Sequence, residues 1–111
     1  MPQVPELTPT EFLDRWPRGA DDPGVVLLDI REPVELDTAS VAGAQHIRMG
    51  ELPARLGELN RSQPMVIMCH SGARSLRVAA FLLEQGFEHV FNLRGGIDAW
   101  SLEVDTKVPR Y

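Results

Sequence analysis

The sequence predicts an α/β fold with a central, mainly parallel sheet and helices on both of its faces. Residues 25–28 and 65–68 form two apolar runs, as is typical of strands that are covered on both faces. About 35 residues separate the two runs, and helix-compatible stretches lie between them, which favours parallel pairing through a right-handed crossover. A chain of 111 residues can form one compact core but not two ordinary domains. We therefore expect a single domain over residues 1–111, with about 103–111 as a loosely packed tail.

The first helix is predicted to begin after Thr8. The Thr8 side chain can cap the helix N-terminus, Pro9 suits the first helical position, and Glu11 completes a capping box. Trp16 would close the buried face of this helix, and Pro17 ends it because proline cannot continue a helix.

Strands and helices are predicted to alternate along the rest of the chain. In order, we expect a strand over residues 25–28, a short helix over 52–59, a strand over 65–68, a buried helix over 75–84, a strand over 89–93 and a short helix that includes Trp100. Gly57 weakens the first of these helices, and Gly86 ends the second. Gly95 and Gly96 predict a turn before the last helix, since glycine permits positive φ.

Cys69 is the only cysteine of the chain, and it directly follows the second apolar run. Asp29 follows the first run, so both residues should lie at the carboxyl edge of the sheet, where chemistry collects in open α/β folds. The loop after Cys69 enters a helix, and its backbone N–H groups together with the helix dipole would form an anion cradle. Such a cradle favours thiolate over thiol, and the thiolate is the nucleophilic form.

Composition limits the remaining functions. The net charge of −5, with acidic and basic residues interspersed, argues against binding to a nucleic acid backbone. No apolar run approaches the ~20 residues of a membrane span, and the first residues lack the features of a secretory signal. A lone cysteine cannot form an internal disulfide or a cysteine-rich zinc site, so we expect no metal, no cofactor and a reducing, cytoplasmic location. The lone lysine, Lys107, lies in the predicted tail, which argues against Schiff-base chemistry in the core.

Three segments resemble the single-domain rhodanese family, and they occur in the family's order. They are LDIRE at residues 28–32, CHSGARS at 69–75 and GGIDAW at 95–100. The chain departs from the family pattern at residues 40–42, where Ser-Val-Ala replaces a histidine, a β-branched residue and a proline. It also lacks the paired basic residues that some thiosulfate-using members carry directly after the cysteine.

The resemblance implies a rhodanese-like fold and a sulfurtransferase. Cys69 would be the nucleophile and the persulfide carrier, moving a sulfane sulfur from thiosulfate or a persulfide to cyanide or a thiol, including a protein thiol. The residues implied to bind substrate are His70, Ser71, Gly72, Ala73, Arg74 and Ser75. The residues predicted to rim or support the site are Asp29, Arg31, Arg48 and Arg94. Neither a membrane nor a nucleic acid is expected as a partner.

Alternatives stay open for the site and for single residues. A cysteine phosphatase or arsenate reductase would need a loop one residue longer between Cys69 and Arg74, while a non-enzymatic module for protein sulfur relay or redox sensing would keep the same cysteine. Asp29 fits a structural role better than acid or base catalysis. His70 fits a pocket wall better than a general base. Arg74 is either a clamp on loop carbonyls or a contact for the donor.

Overall fold

The computed structural model describes residues 3–111 of the protein. Its strands are β1 (Glu6–Leu7), β2 (Val26–Asp29), β3 (Gln45–His46), β4 (Met65–Met68) and β5 (Val90–Leu93). Its α-helices are α1 (Pro9–Arg15), α2 (Pro33–Thr38), α3 (Ala73–Glu84) and α4 (Gly96–Glu103). Two 3₁₀ helices cover Gly19–Asp21 and Met49–Glu58. No helix among residues 3–111 has the length and hydrophobicity needed to cross a bilayer.

The five strands form one sheet in the order β1-β5-β4-β2-β3, and every neighbouring pair is parallel. The predicted α/β class and parallel sheet are thus confirmed. Ile67 of β4 lies beside Leu28 of β2 on one side and Asn92 of β5 on the other. This register brings the carboxyl ends of β2, β4 and β5 to one edge, where Cys69 follows β4.

Helices cover both faces of the sheet. One face packs against α3 and the Met49–Glu58 helix through a buried cluster that includes Ile67, Leu82 and Phe87. The opposite face packs against α1 and α4 through a second cluster, which includes Phe12 and Trp100. Burial of each large apolar side chain contributes roughly 1.5–3 kcal/mol, so these two clusters supply the main stabilisation of the fold.

The predicted start of α1 is confirmed in detail. The Glu11 amide donates to the Thr8 hydroxyl oxygen at 3.1 Å, and the Thr8 amide donates to the Glu11 carboxylate at 2.9 Å. Pro9 occupies the first turn. This reciprocal capping fixes the start of α1 directly after β1.

Several boundaries differ from the sequence prediction. The two-residue strands β1 and β3 and the short helix α2 were not predicted, since such short segments carry no measurable periodicity. The helix expected at residues 52–59 is a 3₁₀ helix over Met49–Glu58 that contains Pro53. The helix α3 begins at Ala73, two residues before the predicted start, because left-handed Gly72 ends the preceding turn.

Residues 104–111 run back along the molecule. Val108 is buried, and its carbonyl accepts a hydrogen bond from the Ser101 hydroxyl of α4. Arg110 forms an ion pair with Asp98, whose carboxylate oxygen lies 2.7 Å from the Arg110 Nε. These contacts fasten a segment for which the sequence predicts only loose packing.

Candidate active site

The turn between β4 and α3 positions Cys69. Gly72 adopts φ +103°, in the left-handed region that side chains disfavour. A Cβ added at Gly72 would also lie 3.2 Å from the Gly95 nitrogen, so the space there is closed by the neighbouring turn. Glycine at this position therefore lets the chain reverse and aim its amides back at the end of β4.

Three hydrogen-bond donors converge on the Cys69 sulfur. The Gly72 amide nitrogen lies 3.1 Å from Sγ, the Ser75 amide nitrogen 3.4 Å, and the Ser75 hydroxyl oxygen 3.2 Å. Sulfur carrying a negative charge is stabilised by donors that already point at it. Of the predicted cradle over residues 70–75, Gly72 and Ser75 thus make the direct contacts.

The sulfur lies at the bottom of this cradle. Cys69 is only 1% exposed, whereas Ser71 and Ala73 of the covering loop are exposed and His70 is partly buried. A reagent can therefore reach the sulfur only if the loop over it moves or opens.

Arg74 clamps α3 to α2 through its guanidinium. Its two terminal nitrogens donate to the two carboxylate oxygens of Glu35, at 2.9 and 3.0 Å. Burial of Glu35 opposes its ionisation, but the bonds from Arg74 and Tyr111 outweigh burial and lower the pKa of Glu35. Of the two roles predicted for Arg74, the structure shows a clamp. Its partner, however, is the Glu35 carboxylate and not a loop carbonyl.

Asp29 and Arg31 form a buried ion pair at the end of β2. Arg31 is 0% exposed, and its Nη2 lies 2.7 Å from the Asp29 carboxylate. The same guanidinium donates to the carbonyls of Glu35 and Ala39, which follow in α2 and at its end. Removing one partner of such a pair costs about 3–5 kcal/mol because the other charge stays buried, so the pair supports the site and does not line it.

Tyr111 covers His70. The two rings stack with centroids 4.1 Å apart and an interplanar angle of 13°. The Tyr111 hydroxyl accepts a hydrogen bond from Arg31 at 2.9 Å and donates one to Glu35 at 3.0 Å. Burial and the Glu35 carboxylate raise the pKa of Tyr111 despite the opposing effect of Arg31, so the hydroxyl stays protonated. Sequence reasoning missed this residue, because nothing in the sequence around it indicates a partner.

A polar network lies behind the sulfur, on the side of the sheet. Asn92 of β5 is 1% exposed and contacts the Ser75 hydroxyl, the Gly72 carbonyl and the Glu6 carboxylate. Sequence reasoning missed Asn92 and Glu6 as well. An asparagine in the middle of a strand that is otherwise apolar was the available signal, since a buried amide needs partners.

The two remaining predicted rim arginines lie in exposed ion pairs. Arg48 pairs with Glu51 at 2.7 Å and with Glu32 at 3.3 Å. Arg94, with 67% of its side chain exposed, pairs with Glu6 at 3.2 Å.

A cavity of about 610 Å³ opens elsewhere, between residues 17–21, 36–42 and 104–109, and includes none of the loop residues 69–75.

Comparison with known proteins identifies relatives of the chain. The family model of the rhodanese-like domain matches residues 12–103. A sulfurtransferase from Allochromatium vinosum is 43% identical over 84 residues, covering 76% of this chain and 78% of that protein. The thiosulfate sulfurtransferase GlpE from Pseudoalteromonas translucida is 33% identical over 90 residues, covering 81% and 86%. The crystal structure of a rhodanese-related protein from Thermoplasma volcanium aligns with a TM-score of 0.78 at 26% identity, over 91% of this chain and 94% of that one.

Proposed function

The chain belongs to the rhodanese-like family as a sulfurtransferase or sulfur carrier, and we propose that Cys69 accepts a sulfane sulfur and passes it on as a persulfide. The observation that carries the proposal is the convergence of two amides and one hydroxyl on a single buried sulfur. Such donors serve a group that gains and loses negative charge, and a structural cysteine needs none of them.

Uptake of sulfur begins with the Cys69 thiolate. Its sulfur attacks the outer sulfur of the donor, which we propose to be thiosulfate or a persulfide. A bond forms between Sγ and that sulfur while the donor's own S–S bond breaks, and sulfite or a thiolate leaves with the electron pair. The name of the thiosulfate sulfurtransferase relative supports thiosulfate as the first donor to test.

Release of sulfur reverses the roles at Cys69. An acceptor thiolate or cyanide attacks the outer sulfur of the persulfide, the bond to Sγ breaks, and Cys69 regains its thiolate. Because the two half-reactions use the same sulfur in turn, ping-pong kinetics are expected. Donors that are oriented before the reaction stabilise the leaving thiolate without rearranging, and removing one such donor from comparable sites costs about 3 kcal/mol.

The surroundings of the sulfur suit a reactive intermediate. The 1% exposure of Cys69 shields a persulfide from water and from oxidants, which attack exposed thiolates readily. A reducing compartment such as the cytoplasm would keep this single cysteine in its free form. Asp29, Arg31 and Arg74 hold the surrounding turns by ion pairs and take no direct part in the proposed chemistry.

Sulfur loading provides the test. Incubation with thiosulfate should add one sulfur atom to the intact protein, and cyanide should remove it with formation of thiocyanate. Cys69→Ser is the matched control, since it leaves no thiol in the chain. A wild-type protein that stays unmodified with thiosulfate and with low-molecular-weight persulfides would refute the proposal. Loading by a persulfide but not by thiosulfate would identify a persulfide as the donor.

A further inference from the structure

The orientation of the Asn92 side-chain amide is fixed by its neighbours. The Nδ2 group donates to the Glu6 carboxylate at 2.8 Å and to the Gly72 carbonyl at 3.2 Å. Both partners can only accept, so a flipped amide would place its oxygen against two other oxygens. The Asn92 Oδ1 therefore faces the Ser75 hydroxyl, 2.5 Å away.

The Ser75 hydroxyl consequently lies between two acceptors and has one proton to give. Its oxygen is 2.5 Å from the Asn92 Oδ1 and 3.2 Å from the Cys69 Sγ. When Cys69 is a thiol, its S–H can donate to the Ser75 oxygen, and Ser75 can donate to Asn92. When Cys69 is a thiolate, sulfur and Asn92 compete for this one proton. Either the sulfur keeps only its two amide donors, or the buried Asn92 Oδ1 loses the Ser75 hydroxyl.

A persulfide removes this competition. The negative charge then resides on the outer sulfur, and Sγ becomes a neutral sulfur with two covalent bonds, which is a weak acceptor. The Ser75 proton can return to Asn92. The arrangement therefore disfavours the bare thiolate relative to the sulfur-loaded form.

We propose that Asn92 is a positioning residue, which acts through the Ser75 hydroxyl to shift the sulfur-exchange equilibrium of Cys69 toward the loaded state. This inference rests on the proposed function. The other charged or titratable groups near the sulfur are Arg74, which is paired with Glu35, and His70, which is stacked on Tyr111. Behind Asn92 lies the ion pair of Glu6 with Arg94. A substitution at Asn92 that removes its amide also removes its hydrogen bonds to the Glu6 carboxylate and the Gly72 carbonyl, so a background without the Ser75 hydroxyl is needed as a control.

The variant Asn92→Leu tests the competition, because leucine has a similar size but no acceptor. The freed Ser75 hydroxyl should donate fully to the thiolate. The first measurement is the rate of Cys69 alkylation by iodoacetamide as a function of pH, and its midpoint should fall by about one pH unit, a tenfold change. The second is the loaded fraction in fixed mixtures of thiosulfate and sulfite, where the equilibrium constant for loading should fall about tenfold.

Control variants separate this effect from loss of packing. In a Ser75→Ala background, Asn92→Leu should leave the alkylation midpoint unchanged, since no shared proton remains. Leu27→Ala removes a buried side chain on the opposite face of the sheet, and it should lower the melting temperature without moving the midpoint. Should Asn92→Leu fail to fold, Ser75→Ala alone tests the inference. If Asn92 holds the Ser75 proton, Ser75→Ala should change the alkylation midpoint little. A rise of the midpoint by about one pH unit would show that the hydroxyl donates to the thiolate, and would overturn the inference.

The two measurements also separate the inference from the proposed function. Alkylation reports on the thiolate without any sulfur transfer, so an unshifted midpoint in Asn92→Leu overturns the inference even if the wild type loads sulfur. A wild type that fails to load overturns the proposed function, whatever the midpoints. A shifted midpoint together with a reduced loaded fraction supports both.

Discussion

The contacts of Tyr111 predict separable effects on stability and on access to Cys69. Tyr111→Phe removes the hydroxyl that bridges Arg31 and Glu35 but keeps the ring stacked on His70. Tyr111→Ala removes both. Comparing the two variants therefore separates what the hydroxyl contributes to stability from what the ring contributes to stability and to shielding of Cys69.

The expected losses of stability follow from the exposure of each contact. Hydrogen bonds to charged groups contribute about 1.5–3 kcal/mol when buried. Tyr111 is 39% exposed and Glu35 keeps its Arg74 partner, so we expect about 1 kcal/mol for Tyr111→Phe. Loss of the ring stack adds roughly 0.5–1.5 kcal/mol in Tyr111→Ala. For a chain of this size, each 1 kcal/mol lowers the melting temperature by about 4 °C.

Access to the sulfur should respond only to the ring. Because Tyr111 covers His70 beside the cradle, Tyr111→Ala should speed alkylation of Cys69 by iodoacetamide at fixed pH several-fold, and Tyr111→Phe should not. Thermal unfolding and alkylation rates provide the two measurements. Equal melting temperatures for the two variants would show that the stack contributes nothing. An alkylation rate unchanged in Tyr111→Ala would refute the idea that this ring restricts access.

Three further predictions concern the cradle and its clamp. Cys69→Ser should abolish sulfur uptake while leaving the melting temperature nearly unchanged, and a large loss of stability would instead indicate a packing role. Insertion of one residue between Ser71 and Gly72 should abolish loading by displacing the amides, and full activity would contradict the importance of loop size. The lowered pKa of Glu35 means that its contribution to stability is present above its unfolded value of 4.5 and is lost as the pH falls below it. Urea unfolding at pH 7 and at about pH 3.5 should therefore show that the free energy of unfolding falls more on acidification in the wild type than in Glu35→Gln. Equal falls in the two proteins would show that the Glu35–Arg74 ion pair contributes nothing to the acid sensitivity.

The sequence predicted those parts of the fold that depend on local patterns. The strand Met65–Met68 was predicted to the residue because an unbroken apolar run is bounded by Pro64 and Cys69. The first helix followed from its capping residues. The strand-to-helix turn at Cys69 followed from the glycine and the helix beyond it. Each of these features is determined by neighbours only a few residues apart.

The supporting contacts could not be predicted, because they join residues that are distant in the sequence. Asn92 reaches Glu6 on the edge strand, 86 residues away. Tyr111 reaches Arg31 across 80 residues. Such pairs depend on strand order and on the path of residues 104–111, neither of which leaves a periodic pattern. The same limit explains why Arg31 was expected at the rim and is found fully buried.

The contacts of Arg74 help to distinguish two kinds of chemistry at Cys69: transfer of a sulfur atom, and reaction with a bound oxyanion. A loop that binds a tetrahedral oxyanion needs donors for several oxygens, and an arginine fork is well suited to supply two of them. Here both terminal nitrogens of Arg74 are committed to Glu35, and the donors of Gly72 and Ser75 converge on the sulfur atom itself. Freeing Arg74 would break a two-bond ion pair between α3 and α2. The cradle is therefore organised for charge on sulfur, which favours sulfur transfer over phosphatase or arsenate reductase chemistry.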